Sequence, residues 1–435
     1  MRWRMPGLHH TLYNGLAWAV QPLLRRKLAR RALAEPLYGQ AVDERFGRYT
    51  SVWDTASAQP RVWLHAVSLG EVRAAAVLLP ALREALPGMR LLLTHGTATG
   101  RAEGLRLLQD GDVQVWQPWD TPAAVQAFLR HFQPHIGLLM ETEVWPNLVH
   151  HCAQSGVPLA LVNARMSERS LRAALRWPGL MRPTYAALHA VWAQTEADAQ
   201  RLRQLGAPVT AVTGNLKFDA SPDAVQRAQA QAWRAACPRP VLLLASSREG
   251  EEALWLQALQ SLKPAEQQAV QWLIVPRHPQ RVDAVQTLLQ AAGWGVSRRS
   301  GWPASGPSVH NGPTVWLGDS LGEMALYYSL ADVALLGGSF EALGGQNLIE
   351  AAACGCPVLM GPHTFNFLEV AEQAERAGAA RRVAHMGQAL HEALQLVQAP
   401  AEHAAMAEAA LQFVQHHKGT VRRVAGRVQQ LWAGR

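Results

Sequence analysis

The strongest constraint on how this chain folds is a repeated alternation of short apolar runs with helical stretches, beginning near residue 61. The first series reads RVWLHAV (61–67), RLLLTHG (90–96), VQVWQP (113–118), HIGLLME (135–141), VPLALV (157–162), AVWAQT (190–195) and VTAVTG (209–214). After a polar, Ala/Gln-rich stretch over 219–238, the alternation restarts with PVLLLAS, QWLIVP, TVWLG, DVALLG and CPVLMG. Continuous apolar strands joined by helices predict parallel sheets covered on both faces. Two such series predict an α/β protein with two doubly wound domains facing across a cleft. The expected boundaries are a leading segment over 1–48, a first domain over 49–218, a linker over 219–238 and a second domain over 239–435. The final helices, from about residue 388, are amphipathic and suit either half. A chain of 435 residues with 49% hydrophobic and 17% charged content can build such cores and is not a disordered one.

Doubly wound folds place ligands beyond the carboxyl ends of their strands, and the unusual polar residues of this chain collect there. Glu71 follows the first run, after the turn Ser68-Leu69-Gly70, at the mouth of an amphipathic helix. Val62, Leu64 and Ala66 alternate with more polar neighbours before it. A carboxylate in a first helical turn gains from the helix dipole, so Glu71 is expected to be ionised and able to take a proton from a hydroxyl group. It also reads as an ordinary first-turn acid. Glu141 and Glu143 follow the fourth run, Asn163 and Arg165 the fifth, and Asn215 and Lys217 the seventh. In the second half, Ser246 and Ser247, Arg277 and His278, Asp319, and the stretch GGSFEALGGQN (337–347) occupy the equivalent places. Gly residues let backbone amides approach a phosphate. Asn347 and Glu350, three apart, are expected to share one helix face that points back at the Gly loop and suits the paired hydroxyls of a ribose. Neither a GxGxxG nor a P-loop lysine occurs. Asp110-Gly-Asp112, the only Asp-x-Asp, falls where a turn is expected, and Glu141-Thr-Glu143 lacks a third metal ligand nearby.

The net charge of +8 asks for an acidic partner. Residues 1–50 hold nine Arg/Lys against three acids, with Arg25, Arg26, Lys27, Arg30 and Arg31 together. Before them runs TLYNGLAWAVQPLL (11–24), short of the roughly 20 apolar residues a spanning helix needs. An apolar helix followed by a basic cluster suits the surface of an anionic cytoplasmic leaflet, or else a solvated basic helix packed on its own domain. Four scattered cysteines, Cys152, Cys237, Cys354 and Cys356, read as thiols of a reducing compartment.

HAVSLGE, METEVWPN, LVNARMSERS, VTGNLKFD, PRHPQR, GDSLGEM, GGSFEALGGQNLIE and GPHTFNF occur in one order over most of the chain. Together they resemble the Kdo transferases of lipid A biosynthesis, GT-B glycosyltransferases held at the inner membrane by an N-terminal segment. The resemblance implies inverting, metal-independent transfer of 3-deoxy-manno-octulosonic acid (Kdo) from CMP-Kdo to a lipid A precursor at the cytoplasmic face, with no cofactor. It makes Glu71 the general base, and gives Glu141 and Lys217 transition-state roles. Pro276, Arg277, Leu321, Gly322, Glu323, Asn347, Leu348, Ile349 and Glu350 then fall in the CMP-binding segments. Gln346 stands where the family usually has His, so a cationic imidazole has no counterpart there. Leu321 stands for a common Met, a change that nearly conserves volume.

Alternative readings are another GT-B enzyme, such as a UDP-sugar transferase or sugar epimerase, a basic nucleic-acid-binding protein, and an inactive membrane-surface scaffold. The chain lacks the interleaved basic and aromatic strands of an RNA-binding sheet, and its Trp residues are scattered. Intact Glu71 and Lys217 speak against a scaffold.

Overall fold

The computed structural model describes residues 7–309 and 312–434. Two compact units are formed, one comprising the chain up to Asp219 together with the residues from Lys418 on, the other Ala220–His417. Strands β1 (Arg61–His65), β2 (Arg90–His95), β3 (Val113–Trp116), β4 (Ile136–Met140), β5 (Leu159–Ala164), β6 (Ala190–Ala193) and β7 (Val209–Val212) build the first sheet. The second contains β8 (Val241–Ser247), β9 (Gln271–Pro276), β10 (Gly295–Arg298), β11 (Thr314–Leu317), β12 (Val333–Leu336), β13 (Val358–Met360) and β14 (Ala380–Arg382). The orders are β3-β2-β1-β4-β5-β6-β7 and β10-β11-β9-β8-β12-β13-β14. Both sheets are parallel, and each reverses direction once, at β1/β4 in the first and β8/β12 in the second. A doubly wound sheet opens its ligand crevice at such a reversal.

The alternation expected in the first run is not one buried and one polar face. All five residues of β1 are buried, because helices cover both sides of the sheet. Val62 and Leu64 join one core with Val72, Leu78 and Leu82, while Trp63 joins the other with Phe128 and Phe132. The register Val62↔Ile136 and Leu64↔Leu138 aligns β1 with β4, so their carboxyl ends open side by side.

The leading segment forms two helices, not one: α1 (Leu8–Ala19) and α2 (Gln21–Ala34), joined at Val20, with Pro22 in the first turn of α2. Proline lacks the N–H that a continuous helix would need, so it starts a new one. Helix α1 has no fully buried residue, yet it is tied to the first unit. His10 Nε2 lies 2.8 Å from Asn147 Oδ1, and the Tyr13 hydroxyl donates to Asp120 Oδ2 at 2.8 Å. No helix among the described residues is long and apolar enough to cross a membrane.

Two boundaries differ from the sequence expectation. The stretch expected to be a linker is mostly the helix Ala224–Ala236, whose Ala230 and Trp233 are buried in the second unit. Residues 418–435 belong to the first unit, because the helix Thr420–Ala433 fills its core with Val424, Ala425 and Val428.

Candidate active site

Residues at the β1/β4 reversal converge on one carboxylate. Helix α3 (Leu69–Ala85) starts at Ser68, whose Oγ accepts from the Glu71 amide at 3.4 Å. Glu71 reaches back: Oε1 accepts from the Ser68 hydroxyl at 2.9 Å and Oε2 from the Val67 amide at 2.8 Å. One bond on each oxygen fixes the carboxylate and leaves further lone pairs on both. Only 9% of Glu71 is exposed. Burial pushes its carboxyl up to about 7, against the pull of the Val67 amide, and the charges of Glu143 and Glu141 add to the rise. The sequence expectation has this group ionised; in the folded chain burial holds its proton to about neutrality.

Glu141 and Glu143 follow β4. Glu141 adopts φ 55°, a left-handed conformation unusual for a residue with a Cβ, at the point where the chain leaves the sheet. Arg165 Nε lies 3.1 Å from its Oε2 and Lys217 Nζ 3.8 Å from its Oε1, so one carboxylate gathers two cations. Glu143 Oε2 accepts from Trp145 Nε1 at 2.9 Å. Burial alone would raise the Glu143 carboxyl, but the His65 ring and the Trp145 bond more than offset it and leave it below the usual range. His65 is fully buried at the end of β1, its Nε2 3.9 Å from Glu143 Oε2 and its Nδ1 2.7 Å from Thr94 Oγ1. Sequence reasoning passed over His65 and Thr94, because nothing in an apolar run marks which polar side chain the fold turns toward the site.

Lys217 sits in the short turn Leu216–Asp219, anchored by buried Leu216 and Phe218. Buried Asn163, with φ 54°, accepts from the Leu216 amide at 3.0 Å, and Asn215 Oδ1 accepts from the Lys217 amide at 3.0 Å. The strand-end asparagines therefore hold the backbone that carries the lysine.

In the second unit, buried Glu251 organises the β8/β12 reversal. It accepts from the amides of Arg248 at 2.9 Å, Gly338 at 2.6 Å and Phe340 at 3.0 Å, bracing the Gly loop from beneath. A Cβ at Gly337 would lie 2.4 Å from the Ser246 carbonyl oxygen, so only glycine fits there. Pro276 is buried at the end of β9, and the Arg277 amide bonds to the Ser247 carbonyl at 2.9 Å, with the Arg277 side chain exposed. Burial, and to a lesser degree the neighbouring Arg248, Arg277 and Arg281, hold the His278 ring below its ordinary range.

The segment 321–323 is held from two sides. Glu323 Oε1 accepts from Arg299 at 2.9 Å and Oε2 from the Ser320 hydroxyl; the Gly322 carbonyl accepts from Gln226 Nε2 at 3.0 Å. Leu321 is exposed and Gly322 has φ 80°. Leu348 and Ile349 are buried and act as packing. Asn347 lies before the helix Ile349–Ala353, not on it, and its Oδ1 accepts from the Ile349 amide at 3.1 Å. Its Nδ2 donates to Glu350 Oε1 at 3.3 Å, and that carboxylate is exposed. The helices Met324–Leu330 and Ile349–Ala353, which follow these two segments, pack together. Asp112 has a structural role as expected of a turn, taking bonds from Arg83 at 2.6 Å and the amides of Leu91 and Gln109 at 2.8 Å. Among the described residues no three His, Cys, Asp or Glu side chains meet around one point that suits a metal ion.

Residues 40–220 match the family model described as 3-deoxy-D-manno-octulosonic-acid transferase (kdotransferase). A 3-deoxy-D-manno-octulosonic acid transferase of Bordetella pertussis is 46% identical over 98% of this chain and 99% of its own length. One from Haemophilus influenzae is 32% identical over 82% of this chain and 83% of its own. Among solved structures, the UDP-GlcNAc 2-epimerase of Neisseria meningitidis superposes with a TM-score of 0.58 at 17% identity, over 85% of this chain and all of that one. That likeness speaks to the fold, two doubly wound sheets of the GT-B type. The sequence likeness covers both units and every polar cluster described above, and it says which GT-B family this is: the chain belongs to the 3-deoxy-D-manno-octulosonic acid (Kdo) transferases.

Proposed function

We propose that this enzyme moves Kdo from CMP-Kdo to a lipid A precursor, with inversion at the anomeric carbon and without a metal, Glu71 serving as general base. The observation that carries the proposal is the Glu71 carboxylate, fixed by Val67 and Ser68 and holding its proton to about pH 7. A base is most effective when its affinity for the proton lies near the working pH. Glu71 takes the proton of an acceptor hydroxyl as that oxygen bonds to the anomeric carbon of Kdo. The bond from that carbon to the phosphate oxygen breaks, and CMP leaves with the electron pair. Lys217, positioned over Glu141, meets developing negative charge; Arg277 and the Gly-loop amides meet the phosphate. Gly322, Glu323, Asn347 and Glu350 line the CMP site, with exposed Leu321 beside Gly322 and the buried Pro276, Leu348 and Ile349 shaping it through the backbone.

The acceptor is a phosphorylated, acylated disaccharide, and the N-terminal helices suit its surroundings. Leu12, Leu16 and Trp18 of α1 are 57%, 61% and 74% exposed, and the five basic residues of α2 are exposed beside them in sequence. Apolar side chains left in water next to clustered cations fit a helix pair lying in an anionic leaflet. This supports peripheral attachment to the cytoplasmic face of the inner membrane. The test is incubation of the purified protein with CMP-Kdo and lipid A precursor, with mass spectrometry of the lipid. A mass increase of one or more Kdo units is expected from the natural protein and not from Glu71→Gln; equal turnover by the two would remove Glu71 from the mechanism.

A further inference from the structure

The motif VTGNLKFD ends in an acid that neither the donor nor the acceptor chemistry uses. Asp219 Oδ1 accepts from the Gly419 amide and Oδ2 from the Val421 amide, both at 2.6 Å, across two hundred residues of sequence. These amides open the helix Thr420–Ala433, where unpaired N–H groups and the helix dipole favour a carboxylate. The same helix grips the approach to the turn. Arg423 Nε donates to the Thr213 carbonyl at 2.9 Å, and Gly214, at φ 93°, lies so close that a Cβ there would be 2.5 Å from Thr420 Oγ1. On its other side the helix shares a core with Val72, Ala75 and Leu78 of α3, the helix that bears Glu71, and with Leu216.

We propose that Asp219 is a positioning residue for Lys217: its carboxylate locks the turn Leu216–Asp219 to the C-terminal helix and so fixes where the ammonium stands relative to Glu141 and Glu71. The inference rests on the reading of Lys217 as a group acting in the transfer. Asn163 and Asn215 hold the turn from the strand side; Asp219 holds it from the helix side. Released from one anchor, the turn keeps its buried Leu216 and Phe218 but no longer a single placement for the residue between them. Displacements of about 1 Å cost on the order of a hundredfold in rate when a charge must meet a transition state.

The experiment is a double-mutant cycle on the full chain with CMP-Kdo and lipid A precursor, comparing Asp219→Asn, Lys217→Ala and the pair. Asparagine keeps the size of the side chain but sets an amide nitrogen against one of the two N–H donors. Asp219→Asn should lower kcat about 10- to 100-fold with a smaller change in the donor KM, and should add less than about twofold once Lys217 is alanine. A helix cap of purely structural value would lower the rate by the same factor in both backgrounds, and that result overturns the proposal, as does an unchanged kcat in a folded Asp219→Asn. If Lys217→Ala alone turns over at the natural rate, the role of Lys217 falls and the purpose of the clamp with it, a distinct outcome. Circular dichroism and melting temperature accompany each variant. Should Asp219→Asn not fold, Asp219→Glu, which keeps the charge but moves the carboxylate by one methylene from the Gly419 and Val421 amides, is read by the same criterion.

Discussion

A glutamate in the first turn of a helix ordinarily titrates low, because the unpaired amides there favour its charge. Glu71 departs from this because it is buried and lies near the charges of Glu143 and Glu141. Its position was legible in the sequence from the turn and the helical periodicity. Its charge state was not, because desolvation depends on which elements close over it. A pH dependence follows. The unfolded carboxyl releases its proton near the ordinary glutamate value of 4.5, whereas the folded one keeps it to about 7. Between those values the unfolded state binds fewer protons, so stability falls as pH rises and levels off above 7. The difference is on the order of 1–3 kcal/mol. Glu71→Gln lacks this term, so the melting temperature of the variant relative to the natural protein should climb from pH 4.5 to 7 and then stay flat. Transfer by the natural protein should rise with pH up to about 7, as the base becomes free, and Glu71→Gln should be slower by about two to four orders of magnitude with CMP affinity nearly unchanged. A constant offset between the two melting curves would show that Glu71 titrates as an ordinary exposed acid.

At the scale of the element, short segments departed most from expectation. Asn347 and Glu350 have helical spacing, but the helix Ile349–Ala353 is little more than one turn long and begins after Asn347. A single turn is set by the loop that feeds it, and periodicity cannot resolve it. Because Glu350 is exposed, Glu350→Gln should weaken CMP binding by about 0.5–1.5 kcal/mol, the value of a hydrogen bond still open to water, measured by calorimetry. A larger loss would mean that the bound nucleotide buries this carboxylate. The leading helices carry a second consequence. Tyr13 and His10 tie α1 to Asp120 and Asn147, so deleting the segment would damage the first unit as well as remove an anchor. Replacing the outward residues avoids this. Leu12→Gln/Leu16→Gln/Trp18→Gln should leave the melting temperature nearly unchanged and reduce binding to anionic vesicles at least tenfold, while salt weakens vesicle binding by the natural protein. Vesicle binding that survives both treatments would place the membrane contact elsewhere.

At the scale of the molecule, twelve of the fourteen strands among the described residues coincide with the apolar runs of the sequence. The exceptions are β10 (GVSR) and β14 (ARR), edge strands too short and polar to stand out. Strand order could not be read, since it depends on which way each crossover turns, and neither could the destination of the last helix. An amphipathic helix announces that it will be buried, not against what. Residues 418–435 cross back to the first unit and supply Val424, Ala425 and Val428 to the core beneath α3. The second unit, by contrast, is complete at His417: its sheet, its Gly loop and every residue assigned to CMP lie within Ala220–His417. Ending the chain after His417 should therefore separate the two activities. CMP affinity should stay within about threefold of the natural value, because no group that faces the nucleotide is removed. Kdo transfer should fall below detection, since α3 loses its packing partner and Asp219 its two amide donors. The bared apolar face of α3 should also bind a hydrophobic dye, and the melting profile should split into a lowered and an unchanged transition. If CMP binding and transfer are instead lost together, the nucleotide site draws on the first unit, and the assignment of donor binding to residues 220–417 must be redrawn.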